Sequence, residues 1–585
     1  MPRKRPADES PEPSRKTQKV HYRSTPGGAS GRVAERRPRG PQTNETDRQK
    51  EAYLQVGRYL LEQFSVPAFR SHVTIGLVDR DRIQFYHANH SVIFVSSAIS
   101  FSASDRTGGL DKLIAIVIAF SRLTLCDNGI LHNLHDGKLF RDNGDLPTSK
   151  LAHGAVRMQE GNKLEFGGNK ETKPFTLTYG EVISHEPSLA GRSTAVLHAT
   201  SPKWKDIDLV VKISWPGSDR IPENLFLEKA IKTANSAPTG KWALNHLPRV
   251  LFAQDVVFSP DSTHGKVGSL FDDAKFADGE YKYERRTLRI IIQERLYPLK
   301  TLSNVKDIAQ VLLDVACSTR LPFASWISCT YAGSVHRWLH DHAGILHRDL
   351  SLNNIMYRII ERMNDAGVAE EKVYGVLADY DLASWTRSLT PDYTKTSQQR
   401  TGTPPYMAHG LLDGSDSLHL YRHDVESLFY IMLILATHHE IQAPEKEKGG
   451  GVRMREGELP YRRWFDQPFY EDLASFKQTF FLKLNDLDLS PSFKDFRGWL
   501  TDLRRSFRQG FRSREDYKDE LDQLKRDGGS EDGATPTFDD ETLGGHIPYS
   551  ALIGPARKLK GKLEGLIIRY DPPPPISTGP AKADG

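Results

Sequence analysis

The sequence predicts an α+β fold with a two-lobed body, a small α+β extension before that body, and disordered ends. Strand-like text comes first: Leu209, Val211 and Ile213 alternate with other residues, and residues 289–297 (RIIIQERLY) form a second apolar run. Helical periodicity dominates after residue 302. Strands followed by helices, rather than the two in alternation, are typical of α+β proteins.

Helical patterns are predicted in the second part of the body at residues 305–317, 331–342, 423–437 and 470–484. The longest apolar runs, at 113–120 and 428–436, are shorter than the roughly 20 residues that cross a bilayer. We therefore predict that both are buried elements of a globular core, the first within a helix near 113–125. No membrane partner is expected.

The start of the chain is basic and poor in apolar residues. Residues 1–50 hold 13 Lys and Arg against 6 Asp and Glu. Such a leader fits nuclear import through PRKRP, nucleic-acid binding, or a solvated disordered tail, and the sequence does not choose among these. Three scattered cysteines and the lack of an apolar signal segment predict an intracellular location, in the nucleus or cytoplasm.

Composition divides the chain into six predicted segments. They are a disordered basic leader (1–48), a small α+β extension (49–165), a strand-rich first lobe (174–301), a helix-rich second lobe (302–510), a largely disordered insertion or linker (511–547) and a C-terminal tail (548–585). The Gly-rich and charged runs at 445–451 and 526–542 predict surface loops or disordered insertions within this plan.

The segment GILHRDLSLNNIMYR places Asp349 after an apolar pair and Asn354 five residues later. A carboxylate in such a loop can accept a hydroxyl proton, and an amide oxygen can bind Mg²⁺. His-Arg-Asp alone arises by chance, so the interpretation depends on further parts in the right order. Asp379 follows an apolar strand downstream, and Lys212 lies on a strand upstream. Together they predict phosphoryl transfer.

A lysine that binds phosphate is usually held by an acidic side chain. Pro222 suits the first turn of a helix, and the text after it, ENLFLEKAIKTA, offers Glu223 and Glu228. We predict Glu228 as the partner of Lys212 because it lies in the middle of the helix, with Glu223 as the alternative.

This ordered set of motifs resembles a eukaryotic protein kinase, and more narrowly the fungal-type protein kinase family. The features of that family are RDLS after the catalytic-loop histidine, Asp381 where other kinases have glycine, and HDVESL in a late helix. RTGTPPYMAHG resembles the end of an activation segment. The resemblance covers roughly residues 50–510.

The resemblance implies a role for each matching residue. Asp349 would be the catalytic base, Asn354 and Asp379 the metal ligands, and Asp424 a brace for the catalytic loop. The remaining implied contacts are Lys212 with Glu228 as the phosphate-orienting pair, and Gly191, Val196, Lys212, Glu294, Leu296 and Asp379 around the nucleotide. The implied cofactors are ATP and Mg²⁺, and the implied partners are protein substrates. The sequence does not predict the oligomeric state.

The resemblance also implies a regulatory contact for Arg348, which would pair with a phosphorylated residue between Asp379 and Tyr406. The hydroxyl side chains in that segment that could accept phosphate are Thr390, Tyr393, Thr394, Thr396, Ser397 and Thr401. The sequence does not select one of them.

Four positions depart from the kinase pattern. Gly191 is the only glycine in EVISHEPSLAGRSTAV, so fewer backbone amides are expected near the phosphates. Ser351 replaces a lysine that many kinases place near the transferred phosphate, and Asp381 replaces a flexible glycine. The AHG text at 408–410 replaces Ala-Pro-Glu, so the usual glutamate that pairs with a late arginine is missing.

Three functions follow from these observations. The first is an ATP- and Mg²⁺-dependent protein kinase that phosphorylates Ser and Thr hydroxyls. The second is a weakly active or inactive pseudokinase that serves as a scaffold, which the departures favour. The third is a small-molecule kinase; the GTPPYMA text argues against it because this segment shapes a peptide-docking surface in protein kinases.

Overall fold

The structure is a computed structural model. It describes residues 43–65, 69–102, 108–123, 127–131, 161, 163–166, 173–236, 238–256, 258, 260–271, 283–316, 334–363, 367–386, 402–442, 450–483, 485–526, 537–548, 559, 563 and 566. Residues 48–585 form one compact unit, and residues 1–47 form another, of which only the start of the first helix is described. In the described part of the chain, no helix is both long and apolar enough to cross a membrane.

The extension consists of helices and a four-stranded antiparallel sheet. Its elements are α1 (Thr43–Ser65), β1 (His72–Asp79), β2 (Arg82–Asn89), β3 (Ile93–Val95), β4 (Ile99–Ser100) and α2 (Gly109–Ser121). Val56, Leu60 and Phe64 lie on one face of α1 at helical spacing, and they pack on Val73 and Tyr86 of the sheet. Leu189, from the loop beyond the extension, joins this core.

The predicted burial of the apolar helix near residue 113 is wrong. Helix α2 packs on one side, where the rings of Phe120 and Phe85 stack at 5.7 Å, but Leu110, Ile114 and Val117 are exposed. Helix α2 is apolar on several sides. Its sequence therefore indicates a helix but does not specify which side of the helix other elements cover.

A six-stranded antiparallel sheet follows, in the order β5-β6-β7-β8-β10-β9. The strands are β5 (Lys163–Phe166), β6 (Phe175–Glu186), β7 (Thr194–Thr200), β8 (Leu209–Ser214), β9 (Val250–Val256) and β10 (Leu288–Glu294), with helices α3 (Glu223–Ser236) and α4 (Thr263–Leu270). The predicted strands around Val211 and Ile291 are thus confirmed as β8 and β10. Both faces of β8 are buried, including the face that carries Lys212.

The rest of the body is mainly helical. Its helices are α5 (Val305–Ala316), α6 (Val335–Trp338), α7 (His409–Leu412), α8 (Tyr421–His438), α9 (Arg463–Asp466), α10 (Tyr470–Leu482) and α11 (Arg497–Arg526). Helix α8 is buried along its whole length and packs with Phe480, Phe481 and Phe507. Three of the four predicted helical patterns are confirmed, and the pattern at 331–342 is a short α6 followed by a π-helical turn, Leu339–Ala343.

Helix α11 runs to Arg526, past the boundary that composition predicts at residue 510. Its first turns bury Trp499, Leu503 and Phe507, whereas its last turns are charged and exposed. The charged text from residue 511 therefore belongs to a solvated end of a helix. Most of the runs predicted as insertions at 445–451 and 526–542 lie outside the described residues.

Short strand pairs hold the loops that carry the motifs side by side. The strands are β11 (Tyr297–Pro298), β12 (Ile345–Leu346), β13 (Ile355–Met363), β14 (Ala369–Leu377), β15 (Ser384–Trp385), β16 (His439–Gln442) and β17 (Gly451–Met454). Strand β12 pairs with β15, and β13 pairs with β14. The loop at 347–354 and the loop at 378–383 therefore start and end on paired strands, which brings Asp349 and Asp379 together.

Candidate functional site

Lys212 lies at the centre of an acidic cluster. The residue is 7% exposed on β8, with Val196 of β7 and Ile291 of β10 as its cross-strand neighbours. Its Nζ lies 2.9 Å from Glu223, 2.8 Å from Asp379 and 2.9 Å from Asp381. Burial alone would lower the pKa of Lys212, but the three carboxylates outweigh it and raise that pKa well above its usual value. The lysine stays charged inside the protein.

The partner of Lys212 is Glu223, and the prediction of Glu228 is wrong. Glu223 is buried in the first turn of α3; its Oε1 binds Lys212, and its Oε2 accepts a hydrogen bond of 3.1 Å from the backbone N–H of Tyr380. Glu228 is exposed and accepts a hydrogen bond from the Asn224 side chain. Five residues correspond to about 140° around a helix, so the two glutamates lie on different faces.

The sequence does contain a signal for Glu223. Phe226, Leu227 and Ala230 follow it at the i+3, i+4 and i+7 positions, and all three are buried. Glu223 therefore lies on the stripe that faces the core, where an anion must have a cationic partner. A position in the middle of the helix, the reason for choosing Glu228, does not determine which face a residue occupies.

Asp379 and Asp381 follow β14 in one short loop. Asp379 has a left-handed backbone (φ 65°), and the backbone N–H of Ala378 donates to the carbonyl of Asn354 at 2.9 Å. Burial would raise the pKa of Asp379, but Lys212 and then Arg192 hold it below its usual range. Asp381 is buried and pairs with Lys212, a contact that its interpretation as a replaced glycine missed. The sequence signal for this contact was the position of Asp381 two residues after Asp379.

Asp349 is buried next to this cluster. The Thr403 hydroxyl donates to its Oδ1 at 3.0 Å, and the Asn354 amide donates to its backbone carbonyl at 2.8 Å. Burial, and secondly the charge of Asp379, raise the pKa of Asp349 to about 6. Such a carboxyl is ionised at neutral pH and is more basic than an exposed aspartate, as a proton acceptor requires.

Asp424 holds the backbone of the loop at 347–354, as the resemblance implies. Its Oδ2 accepts hydrogen bonds from the N–H groups of His347 (3.2 Å) and Arg348 (3.3 Å), and its two oxygens also contact the rings of His336 and His419. The Nε2 atom of His347 lies 3.1 Å from the carbonyl oxygen of Ala378. The histidine is therefore a structural residue that joins the two loops.

The carboxylate expected at position 410 comes instead from Asp416. A Cβ at Gly410 would lie 2.0 Å from Oδ2 of Asp416, so this carboxylate occupies the space of the missing side chain. Asp416 pairs with Arg422 at 2.9 Å and with Arg514 of α11. The usual glutamate is absent at position 410, as the sequence shows, but the carboxylate of Asp416 pairs with a late arginine in its place.

The four other residues predicted around the nucleotide lie on the sheet and its edges. Val196 is the cross-strand partner of Lys212, and Leu296 is buried with Val376 and Ala378. Glu294 ends β10 and pairs with Arg249 at 3.3 Å. The N–H of Gly191 donates to the carbonyl of His90 in the extension at 3.1 Å, which is a contact that sequence reasoning did not foresee.

The residues that Arg348 is predicted to contact lie outside the described residues, because the structure describes nothing between residues 386 and 402. The pairing of Arg348 with a phosphorylated side chain therefore stays a prediction. Arg348 itself is buried, with a left-handed backbone (φ 68°) directly before Asp349.

Residues 41–239 and 328–436 match the fungal protein kinase family, and these two segments make up more than half of the chain. The chain belongs to the fungal protein kinase family. The resemblance noted from its motifs is thereby confirmed, and the matched segments include Lys212, Glu223, Asp349, Asp379 and Asp424. The matched region begins at residue 41, so the extension is part of what this kinase family shares. No curated protein matches the chain.

Proposed function

We propose that this member of the fungal protein kinase family is an active protein kinase that transfers the γ-phosphate of ATP to Ser and Thr hydroxyls with the help of Mg²⁺. The observation that carries the proposal is the position of Asp349, a buried carboxyl with a pKa near 6, beside the cluster of Lys212, Glu223 and Asp379. The nucleotide would lie between a strand-rich lobe and a helix-rich lobe.

Asp349 would act as the base. Thr403 donates to Oδ1 at 3.0 Å, whereas the Asn354 amide donates to Oδ2 only at 3.5 Å, so Oδ2 is the less tightly held oxygen and would accept the proton of the substrate hydroxyl. Asn354 fixes the backbone of Asp349 through its amide N–H, which orients the amide oxygen of Asn354 away from that carbonyl. That oxygen would then bind the metal ion.

The donors near Asp379 fit a divalent cation. The carboxylates of Glu223, Asp349, Asp379 and Asp381 formally exceed the positive charge of the cations that contact them, so the site is anionic. Lys212 contacts Oδ1 of Asp379, which leaves Oδ2 and the amide oxygen of Asn354 as hard oxygen ligands. When bound, Mg²⁺ would neutralise charge on the terminal phosphates.

Lys212 would orient the phosphates of ATP. Glu223 anchors it, and the same glutamate binds the backbone of Tyr380, so the lysine and the loop of Asp379 are positioned by one side chain. A preorganised cation of this kind stabilises transferred charge without reorganisation during the reaction.

The test is γ-phosphate transfer from radiolabelled ATP to a generic basic protein, with the wild-type chain and Asp349→Asn side by side. Asparagine can still accept the hydrogen bond of Thr403 but cannot take a proton, so we expect a rate lower by about 10²- to 10⁴-fold. Asp522→Asn, at an exposed aspartate near the end of α11, is the matched control and should transfer phosphate normally. Equal rates in both variants would exclude Asp349 as the base.

A scaffold without activity is the second candidate, and one observation favours it. Lys212 already pairs with three carboxylates, so its charge is neutralised without a nucleotide. A folded wild-type chain that transfers no phosphate in saturating Mg²⁺ or Mn²⁺ would support this function over the kinase. Transfer to small alcohols but to no protein would instead support a small-molecule kinase.

Cellular location and nucleic-acid binding both concern the basic leader, and residues 1–42 lie outside the described residues. We propose an intracellular protein, in the nucleus or cytoplasm, on the basis of composition alone. Binding of nucleic acid by the leader would weaken steeply with added salt, because such binding depends on phosphate contacts.

A further inference from the structure

Arg192 reaches the acidic cluster from the loop between β6 and β7. Its Nη1 lies 3.4 Å from Oδ2 of Asp381, the same oxygen that contacts Lys212 at 2.9 Å. The Arg192 side chain is 33% exposed, so it contacts Asp381 while part of the side chain stays open to solvent. Its planar group offers several donors, which suits it to hold a carboxylate and a phosphate at once.

Backbone bonds fix the position of Arg192. Its carbonyl accepts a hydrogen bond from the N–H of Trp215 at 2.6 Å, and the N–H of the preceding Gly191 donates to His90 of the extension. Leu189 of the same loop packs into the core of the extension. A loop held at both its backbone and its side chains presents Arg192 as a preorganised cation.

The charge of Arg192 acts on the residues of the proposed reaction. Burial would lower its pKa, but Asp379, Asp381, Asp349 and Glu223 together raise it above the usual arginine value. Conversely, Arg192 helps to lower the pKa values of Asp379 and Asp349. The guanidinium therefore lies in the electrostatic range of both the proposed base and the proposed metal ligand.

The catalytic loop lacks a cation of its own at the expected place. Ser351, two residues after Asp349, is buried and uncharged, where many kinases have lysine. Lys212 is held by three carboxylates. The transferred phosphoryl group carries negative charge that a nearby arginine can stabilise strongly.

We propose that Arg192 binds the transferred phosphoryl group of ATP and supplies the positive charge that Ser351 cannot. This assignment rests on the proposed kinase function and adds a phosphate-binding residue to it. The extension then has a role in the reaction, since its contact with Gly191 sets the position of Arg192. This loop, which has a single glycine, thus contributes a side chain where other kinases use backbone amides.

The test measures both phosphate transfer and the affinities of the full-length chain for ATP and ADP with Mg²⁺ by calorimetry. In Arg192→Ala we expect kcat to fall about 10²-fold. We expect the preference for ATP over ADP to fall about tenfold, because only ATP carries the γ-phosphate. Arg192→Lys keeps the charge without the planar geometry and should show a smaller loss in both. Arg337→Ala is the matched control, since Arg337 is also 33% exposed and paired with an aspartate, and it should change neither quantity.

The outcomes separate this assignment from the proposed function. Transfer by the wild type with an unchanged ATP-over-ADP preference in Arg192→Ala would overturn the assignment and leave the kinase function intact. Faster transfer in Arg192→Ala would also overturn it, because the arginine would then restrain the site. A wild type that binds ATP without transferring phosphate would refute the kinase function, and the ATP-over-ADP preference would still decide on Arg192. A wild type that binds neither nucleotide would overturn both.

Discussion

The pairing of Lys212 with Glu223 rather than Glu228 provides a sharp comparison between two variants on one helix. In Glu223→Gln the side chain keeps its size, but it loses the charge that contacts Lys212 at 2.9 Å. Its terminal amide can accept a hydrogen bond from only one of the two donors, Lys212 and the Tyr380 N–H, that Glu223 now binds. Glu228→Gln changes an exposed residue that contacts Asn224 and is the matched control.

The magnitude follows from the partners that remain. Removing one member of an isolated buried ion pair costs about 3–5 kcal/mol. Lys212 keeps its contacts with Asp379 and Asp381. Burial is the main cause that raises the pKa of Glu223, and repulsion from these two carboxylates raises it further. We therefore expect Glu223→Gln to lower the free energy of unfolding by only about 1–2 kcal/mol. Glu228→Gln should change it by less than about 0.5 kcal/mol.

Activity should separate the variants further. Without Glu223, Lys212 and the loop of Asp379 lose their common anchor, so we expect kcat/KM for ATP to fall about 10- to 100-fold. Denaturant titration and phosphate transfer on the two variants and the wild type measure both effects. Equal losses in the two variants, or a larger loss in Glu228→Gln, would refute the assignment of Glu223.

Two further predictions concern other carboxylates. Because Asp349 must be ionised to accept a proton and its pKa is about 6, kcat/KM should fall at least tenfold per pH unit below pH 6. Burial raises the pKa of Glu223 to about 7, so protonation of Glu223 adds a shallower loss that begins near pH 7. A profile that is flat through pH 6 would contradict the role of Asp349 as base. Asp416→Asn should lower the free energy of unfolding by about 2–4 kcal/mol, because it leaves Arg422 buried without its closest carboxylate. The control is Asp540→Asn, which changes an exposed carboxylate that contacts Arg514, as Asp416 does, and it should cost less than about 1 kcal/mol. Denaturant midpoints that move equally in the two variants would contradict this.

The sequence predicted the parts of the site that are fixed by local spacing. Asp349, Asn354 and Asp379 lie in loops bounded by strands, and pairing of those strands places the loops together. Lys212 alternates with apolar residues on β8, so its position on the sheet also follows from period two. In each case the information lies within a few residues of the functional side chain.

Predictions failed where the answer depended on residues far away in the chain. The face that α3 buries decides between Glu223 and Glu228, and it is set by packing on other helices. The exposure of α2 depends on what covers it, which its apolar text does not contain. The bond between Gly191 and His90 joins the extension to the sheet across a hundred residues. Spacing along the chain carries no direct signal for contacts of this kind.

The departures from the kinase pattern at Gly410 and Ser351 have the same physical explanation. An electrostatic role requires a charge at a point in space, and side chains from different positions can reach that point. Asp416 fills the volume that Gly410 leaves open, and it forms the pair with a late arginine that position 410 cannot form. Arg192 likewise lies beside the acidic cluster, to which Ser351 brings no charge. A missing motif residue therefore indicates a lost function only when no other side chain supplies its charge at the same place. Asp416 supplies it for Gly410, and the proposed role of Arg192 would supply it for Ser351.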